Sequence, residues 1–143
     1  MILNRKAHFN YTIEEEFEAG IVLLGSEVKS IREGKATINE AYITDVDGEI
    51  FIINSHISEY KQANKFNHTP TRPRKLLLHQ KQIQKIIGKI ADKGYSAFPL
   101  KIFFNKKGFA KIIIGIGRGK KLYDKRETIK KRDENRRKQR GEE

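Results

Sequence analysis

Between Arg118 and Glu143 stand 12 lysines and arginines against 6 acids, and the only sizeable apolar side chains are Leu122, Tyr123 and Ile129. The chemistry available at that density is electrostatic pairing with a polyanion. Spacing adds a second property. Glu127 with Lys131, Asp133 with Arg137 and Glu134 with Lys138 lie four apart, which supports a helix once one is nucleated. A segment that cannot bury itself is predicted to be disordered when free and helical against its partner.

The rest of the chain offers further candidates. Lys6, Lys29, Arg32, Arg72, Arg74 and Lys75 share the cationic excess and are candidates for phosphate contacts. Glu18 differs in kind: a carboxylate repels phosphate but accepts hydrogen bonds from base amino groups, which would supply selectivity. Its competing reading is a solvent-facing strand position. The four histidines, His8, His56, His68 and His79, show no metal-ligand spacing and have no cysteine to help them, so they read as surface or strand-end residues. Gly115, Gly117 and Gly119 before Lys120 lack the Walker spacing and the following Ser/Thr, and read as a flexible exit into the tail with Gly119 as its hinge. No GxSxG motif or nucleophile–base pair is present, so neither an enzyme nor a cofactor is called for.

The 143 residues suffice for one domain, placed at 1–117, with residues 118–143 as a basic C-terminal tail. A net charge of +12 favours a nucleic acid partner ahead of an anionic membrane surface. The chain has no cysteine, hence no disulfide framework and no sign of an oxidising compartment. Polar residues follow Met1-Ile2-Leu3-Asn4-Arg5-Lys6 where a signal peptide would have its apolar core, and no run approaches the roughly 18 apolar residues of a membrane span. The expectation is a soluble cytoplasmic protein, not engaged with membrane.

The elements that must position these residues follow from periodicity. Tyr11, Ile13, Phe17, Ala19, Ile21 and Leu23 alternate with Thr12, Glu14, Glu16 and Glu18, which predicts a strand over 11–24, with Glu15 the exception and a helix over the glutamates the alternative. Ser26 as cap and Gly34 as stop frame a short helix with Val28 and Ile31 inward. Asp47-Gly48 predicts a hairpin between 41–46 and 49–54, with 55–60 as a third short strand. Residues 61–75, with Pro70 and Pro73, read as an exposed basic loop. Ile83, Ile86, Ile87 and Ile90 predict an amphipathic helix over 79–93 stopped by Gly94. A second hairpin over 96–104 and 109–116 turns at Asn105-Lys106-Lys107-Gly108, with Pro99 at an edge or bulge. The sum is a mainly β protein: a small antiparallel OB-like barrel of about six strands with two or three helices.

Several ordered segments then carry a resemblance: Asn4-Arg5-Lys6-Ala7, Glu18-Ala19-Gly20-Ile21, Glu27-Val28-Lys29-Ser30, Arg72-Pro73-Arg74-Lys75-Leu76-Leu77-Leu78, and Gly119-Lys120-Lys121-Leu122-Tyr123-Asp124-Lys125-Arg126. On these the chain resembles the SsrA-binding protein (SmpB) family from Asn4 into the tail. The resemblance implies a non-enzymatic partner of transfer-messenger RNA in trans-translation, monomeric when free, whose barrel binds the tRNA-like domain of that RNA. It implies that Asn4, Glu18 and Leu77 contact the RNA, with the basic residues named above as phosphate partners. It further implies that Gly119, Lys120, Lys121, Tyr123, Asp124, Lys125 and Arg126 enter the small-subunit decoding centre, where Tyr123 could stack on a ribosomal base. Lys130, Lys131, Arg132, Arg136, Arg137, Lys138 and Arg140 would follow ribosomal RNA phosphates along the empty messenger channel. Position 123 is Tyr where some relatives have His, so an imidazole plays no part here. The alternative reading is a structural ribosomal or ribosome-assembly protein whose tail binds ribosomal RNA.

Overall fold

A computed structural model describes residues 1–120 of the chain, leaving aside the side chains of 64–66. Its longest ladder joins β2 (Tyr11–Ile21) to β9 (Ala110–Gly119), from Tyr11 opposite Gly119 to Gly20 opposite Lys111. The alternation in β2 thus makes a strand, because every second side chain of Tyr11, Ile13, Phe17, Ala19 and Ile21 turns inward. Glu15 falls on the same inward row, after a register shift between Ile13 and Glu15. Its carboxylate is met there by Lys85 Nζ at 3.5 Å, which explains an acid at an apolar phase of the pattern.

The Asp47-Gly48 signal makes the predicted hairpin between β4 (Tyr42–Val46) and β5 (Glu49–Ile53). The two turn residues have φ of +52° and +83°, the left-handed pair that a type I′ turn requires. The second hairpin joins β8 (Tyr95–Phe104) to β9; Asn105 Oδ1 accepts from the amides of Lys107 and Phe109, at 3.1 and 2.9 Å, and ties its turn. Pro99 sits at a register shift before Lys101, as a residue without an amide donor should.

With β7 spanning Arg74–Leu77, strand pairing runs β8-β4-β5-β7-β2-β9, and β9 returns to β8, closing a six-stranded antiparallel barrel. β1 (Ile2–Leu3) adds to the outer side of β8. The interior is built largely of isoleucine, with Ile43, Ile50, Ile52, Ile102, Ile112, Ile114 and Ile116 all fully or almost fully buried. α3 (Gln80–Ala91) packs Ile86 into this core, with Ile83, Ile87 and Ile90 half-buried against it. α1 (Ala7–Asn10) leads into β2, and α2 (Gly25–Arg32) follows it. Among the described residues no helix is long and apolar enough to cross a membrane.

Four expectations are corrected. Residues 61–75 are not one exposed loop: a 3₁₀ helix spans Lys61–Phe66, and β7 (Arg74–Leu77) lies between β5 and β2 in the barrel wall. An inward-facing arginine hides the apolar alternation that would announce that strand. Residues 55–60 supply only β6 (His56–Ile57), which pairs with β3 (Ala36–Thr37) in a separate ribbon. Ser26 does not cap α2; the helix starts one residue earlier, and the Ser26 hydroxyl bonds His68 Nδ1 at 2.8 Å. Gly115 and Gly117 are no flexible exit. They lie inside β9, where a Cβ on Gly117 would stand 2.0 Å from the Thr12 carbonyl oxygen and one on Gly115 2.7 Å from the Phe98 ring.

Candidate nucleic-acid interface

The pairing of β2 with β7 sets Gly20 opposite Leu77, and its pairing with β9 sets the same Gly20 opposite Lys111. Glu18 is two residues back on the outward row. Three strands therefore bring an acid, an apolar side chain and a cation to one open concavity of about 290 Å³, lined also by Gly20, His79 and Gln82. A Cβ on Gly20 would lie 3.3 Å from that of Leu77, so the glycine gives the leucine its place. Leu77 is 54% exposed. Neither it nor Glu18, which has no ion pair among the described residues, serves the barrel's own packing. This combination can receive the face of a base or sugar on Leu77, accept base amino hydrogens at Glu18, and neutralise a phosphate with Lys111. Lys111 is not among the sequence candidates, since only the β2–β9 register reveals it.

A neighbouring concavity, lined by Leu3, Asn4, Arg5, His8, Glu16 and Lys101, lies along the same outward row of β2. Asn4 itself is almost fully buried. Its Nδ2 donates to the Pro99 carbonyl at 2.7 Å, its Oδ1 accepts from the Lys6 amide at 3.1 Å, and its backbone amide donates to Leu100 O at 2.8 Å. The side chain thereby satisfies the Pro99 bulge and holds Leu3 and Arg5 at the rim of the concavity.

The basic cluster at 72–75 divides. Arg74 is 0% exposed, contrary to the expectation of a phosphate-facing side chain. Its Nε donates to Glu27 Oε2 at 2.5 Å, and its remaining donors reach Ser55 Oγ, Ser55 O and Pro70 O. Glu27, equally buried, also accepts from Arg72 at 2.5 and 3.3 Å and from the Leu24 amide at 2.7 Å. Burial pushes the Glu27 carboxyl up, but the bonds from Arg72, the Leu24 amide and Arg74 outweigh it and hold the group below the ordinary glutamate range. Burial likewise lowers the Arg74 pKa, with Glu27 opposing the shift. Arg72 and Arg74 are thus engaged in pinning α2 to the barrel wall. Sequence reasoning misses Glu27; its position three residues after Leu24 is the signal that marks a helix-start acid.

Lys75, on the outer side of the same strand, pairs at the surface with Glu49 at 3.0 Å, and Lys6 pairs with Glu40. Lys29 is exposed with its ammonium 5.4 Å from the Tyr60 ring, and Arg32 lies 4.3 Å from the Phe104 ring. Exposed pairs of this kind are worth only about 0–1 kcal/mol, so these cations can exchange partners for phosphate at little cost. His68 is no surface histidine: buried, it takes Ser26 on one ring nitrogen and donates from Nε2 to Ile57 O at 2.8 Å. Gly119 ends β9, and Lys120 ties back to α1 through its amide on Asn10 O and its Nζ on His8 O. Lys121, Tyr123, Asp124, Lys125, Arg126, Lys130, Lys131, Arg132, Arg136, Arg137, Lys138 and Arg140 lie outside the described residues.

The family model described as SmpB protein matches residues 1–143. The chain belongs to the SmpB family. Among curated relatives, the SsrA-binding protein of Bradyrhizobium sp. strain BTAi1 is 59% identical over 130 residues, covering 91% of this chain and 83% of that one. The SsrA-binding protein of Rickettsia canadensis strain McKiel is 60% identical over 130 residues, covering 91% and 86%. A solved SmpB structure, reported under the words "tmRNA-SmpB: a journey to the center of the bacterial ribosome", superposes with a TM-score of 0.71 at 43% identity over 84% of each chain. Its coverage supports the closed SmpB barrel as the fold of this chain.

Proposed function

We propose that this SmpB-family protein is a cytoplasmic, non-enzymatic adaptor that binds transfer-messenger RNA and delivers it to stalled ribosomes for trans-translation. The observation that carries the reading at the level of residues is the outward concavity where Glu18, Leu77 and Lys111 meet. The concavity sets an exposed leucine beside a carboxylate that has no ion pair among the described residues, and a structured RNA offers both an apolar base or sugar face and amino donors. Curated relatives named for SsrA binding and a solved neighbour described with tmRNA and the ribosome supply the identity of that RNA.

In this reading the barrel recognises the tRNA-like domain, with Lys29, Arg32 and Lys75 as surface phosphate partners and Asn4 as a positioning residue. The cationic tail then occupies the decoding centre and the empty messenger channel. A tail that folds only on entering a vacant channel reports on vacancy, since messenger in the channel would exclude it. Glu18→Ala tests the base-reading role. Affinity for the tRNA-like domain should fall by the equivalent of about 1–3 kcal/mol while binding to an unstructured RNA of equal length stays put. Equal change for both RNAs would reduce Glu18 to a surface acid.

A further inference from the structure

One side of α3 carries a line of cations, Lys81 and Lys85 exposed and Lys89 half-buried. Lys81, Lys85 and Lys89 follow one another at four-residue steps, which advance about 6 Å along a helix axis and keep one side. Lys85 and Lys89 are steered by aromatic rings, at 5.7 Å from Phe17 and 4.8 Å from Tyr95, and Tyr95 also carries the Arg118 guanidinium at 4.5 Å. Apart from the contact of Lys85 with Glu15, no ion pair ties these lysines among the described residues, and α3 itself carries no acid, Asp92 following its last residue and facing Arg118 together with Glu14.

Between the lysines lies Gly88. It is exposed, its φ is not positive, and a Cβ there would meet nothing within 4 Å. A glycine inside a helix costs about 1 kcal/mol relative to alanine, and nothing within the described molecule requires it. What the glycine does supply is a shallow place on a cationic surface where another backbone can come close. The N-terminal end of this helix borders the Glu18–Leu77 concavity through His79 and Gln82.

We propose that this face of α3 is a second RNA-contact surface, along which the phosphodiester backbone of the RNA seated at Glu18 and Leu77 continues past Gly88 toward Tyr95 and Arg118. The inference rests on the function proposed above and extends its footprint. Charge selects the occupant: three lysines in line on a helix without an acid of its own fit a polyphosphate better than a protein groove.

The test uses the full chain and the tRNA-like domain of transfer-messenger RNA, titrated across a salt series. Lys81→Gln with Lys89→Gln should lower the magnitude of the slope of log affinity against log salt by close to two, about 0.9 for each duplex phosphate that is no longer neutralised. Gly88→Glu should weaken binding several-fold while the melting temperature holds or rises, since glutamate is the better helix former. Unchanged affinity and slope in both variants, with the melting temperature retained, would overturn the proposal. The parent reading fails separately: wild-type protein would then show no preference for the tRNA-like domain over an unstructured RNA, whatever the variants do.

Discussion

Replacing Glu27 by Leu should destabilise the protein far more than a single surface charge can. The carboxylate is fully buried and accepts four hydrogen bonds, two from Arg72 and one each from Arg74 and the Leu24 amide. Its removal leaves the Arg74 guanidinium, also fully buried, facing only Ser55 and Pro70 oxygens. Breaking a buried pair from one side costs about 3–5 kcal/mol, whereas Arg72, about a third exposed, can turn to water. For a domain of this size that corresponds to a melting temperature lower by about 10–20 °C in calorimetry at pH 7. Replacing both partners, Glu27→Leu with Arg74→Met, should recover most of the stability because no unpaired charge stays inside.

The sign of the pH dependence follows from the same site. The folded Glu27 pKa lies below the unfolded one, so its stabilisation is complete above the ordinary glutamate value of about 4.3 and is lost as pH falls through the lower folded value. The gap between wild type and Glu27→Gln should therefore be widest near neutrality and narrow in acid. A double variant no more stable than Glu27→Leu alone, or a gap that widens in acid, would refute the reasoning.

Gly117→Ala should cost about 3 kcal/mol or more, read by urea denaturation, because a Cβ 2.0 Å from the Thr12 carbonyl forces β2 and β9 apart; a cost under about 1 kcal/mol would show that the ladder yields easily. Ending the chain after Gly119 should leave binding to the tRNA-like domain largely intact and abolish peptide tagging in a stalled-ribosome assay, and joint loss of both would contradict the division of labour between barrel and tail.

Local signals account for what is legible in the sequence. Asp47-Gly48 dictates left-handed φ at two consecutive residues, and the four isoleucines of α3 mark one helical face, so both elements stand where their residues predict. β7 is not legible, because Arg74 occupies an inward position that only a partner 47 residues away makes tolerable. Gly115 and Gly117 misread as a flexible exit for the same reason: their necessity comes from Phe98 and Thr12 across the sheet. In the candidate site, Glu18 is singled out by its charge in a cationic chain and Leu77 by resemblance, but their adjacency and the addition of Lys111 depend on two non-local registers that meet at Gly20. Arg74 shows the converse, a cation whose type suggests phosphate and whose burial assigns it to the fold.

The central claim is that a structured RNA is recognised beyond its charge. Fluorescence anisotropy with the tRNA-like domain of transfer-messenger RNA, beside an unstructured RNA of equal length across a salt series, tests it most directly. Binding to the tRNA-like domain is expected to persist after salt has stripped the control. Equal affinities with equal salt slopes would contradict the claim and leave a non-specific cationic RNA binder.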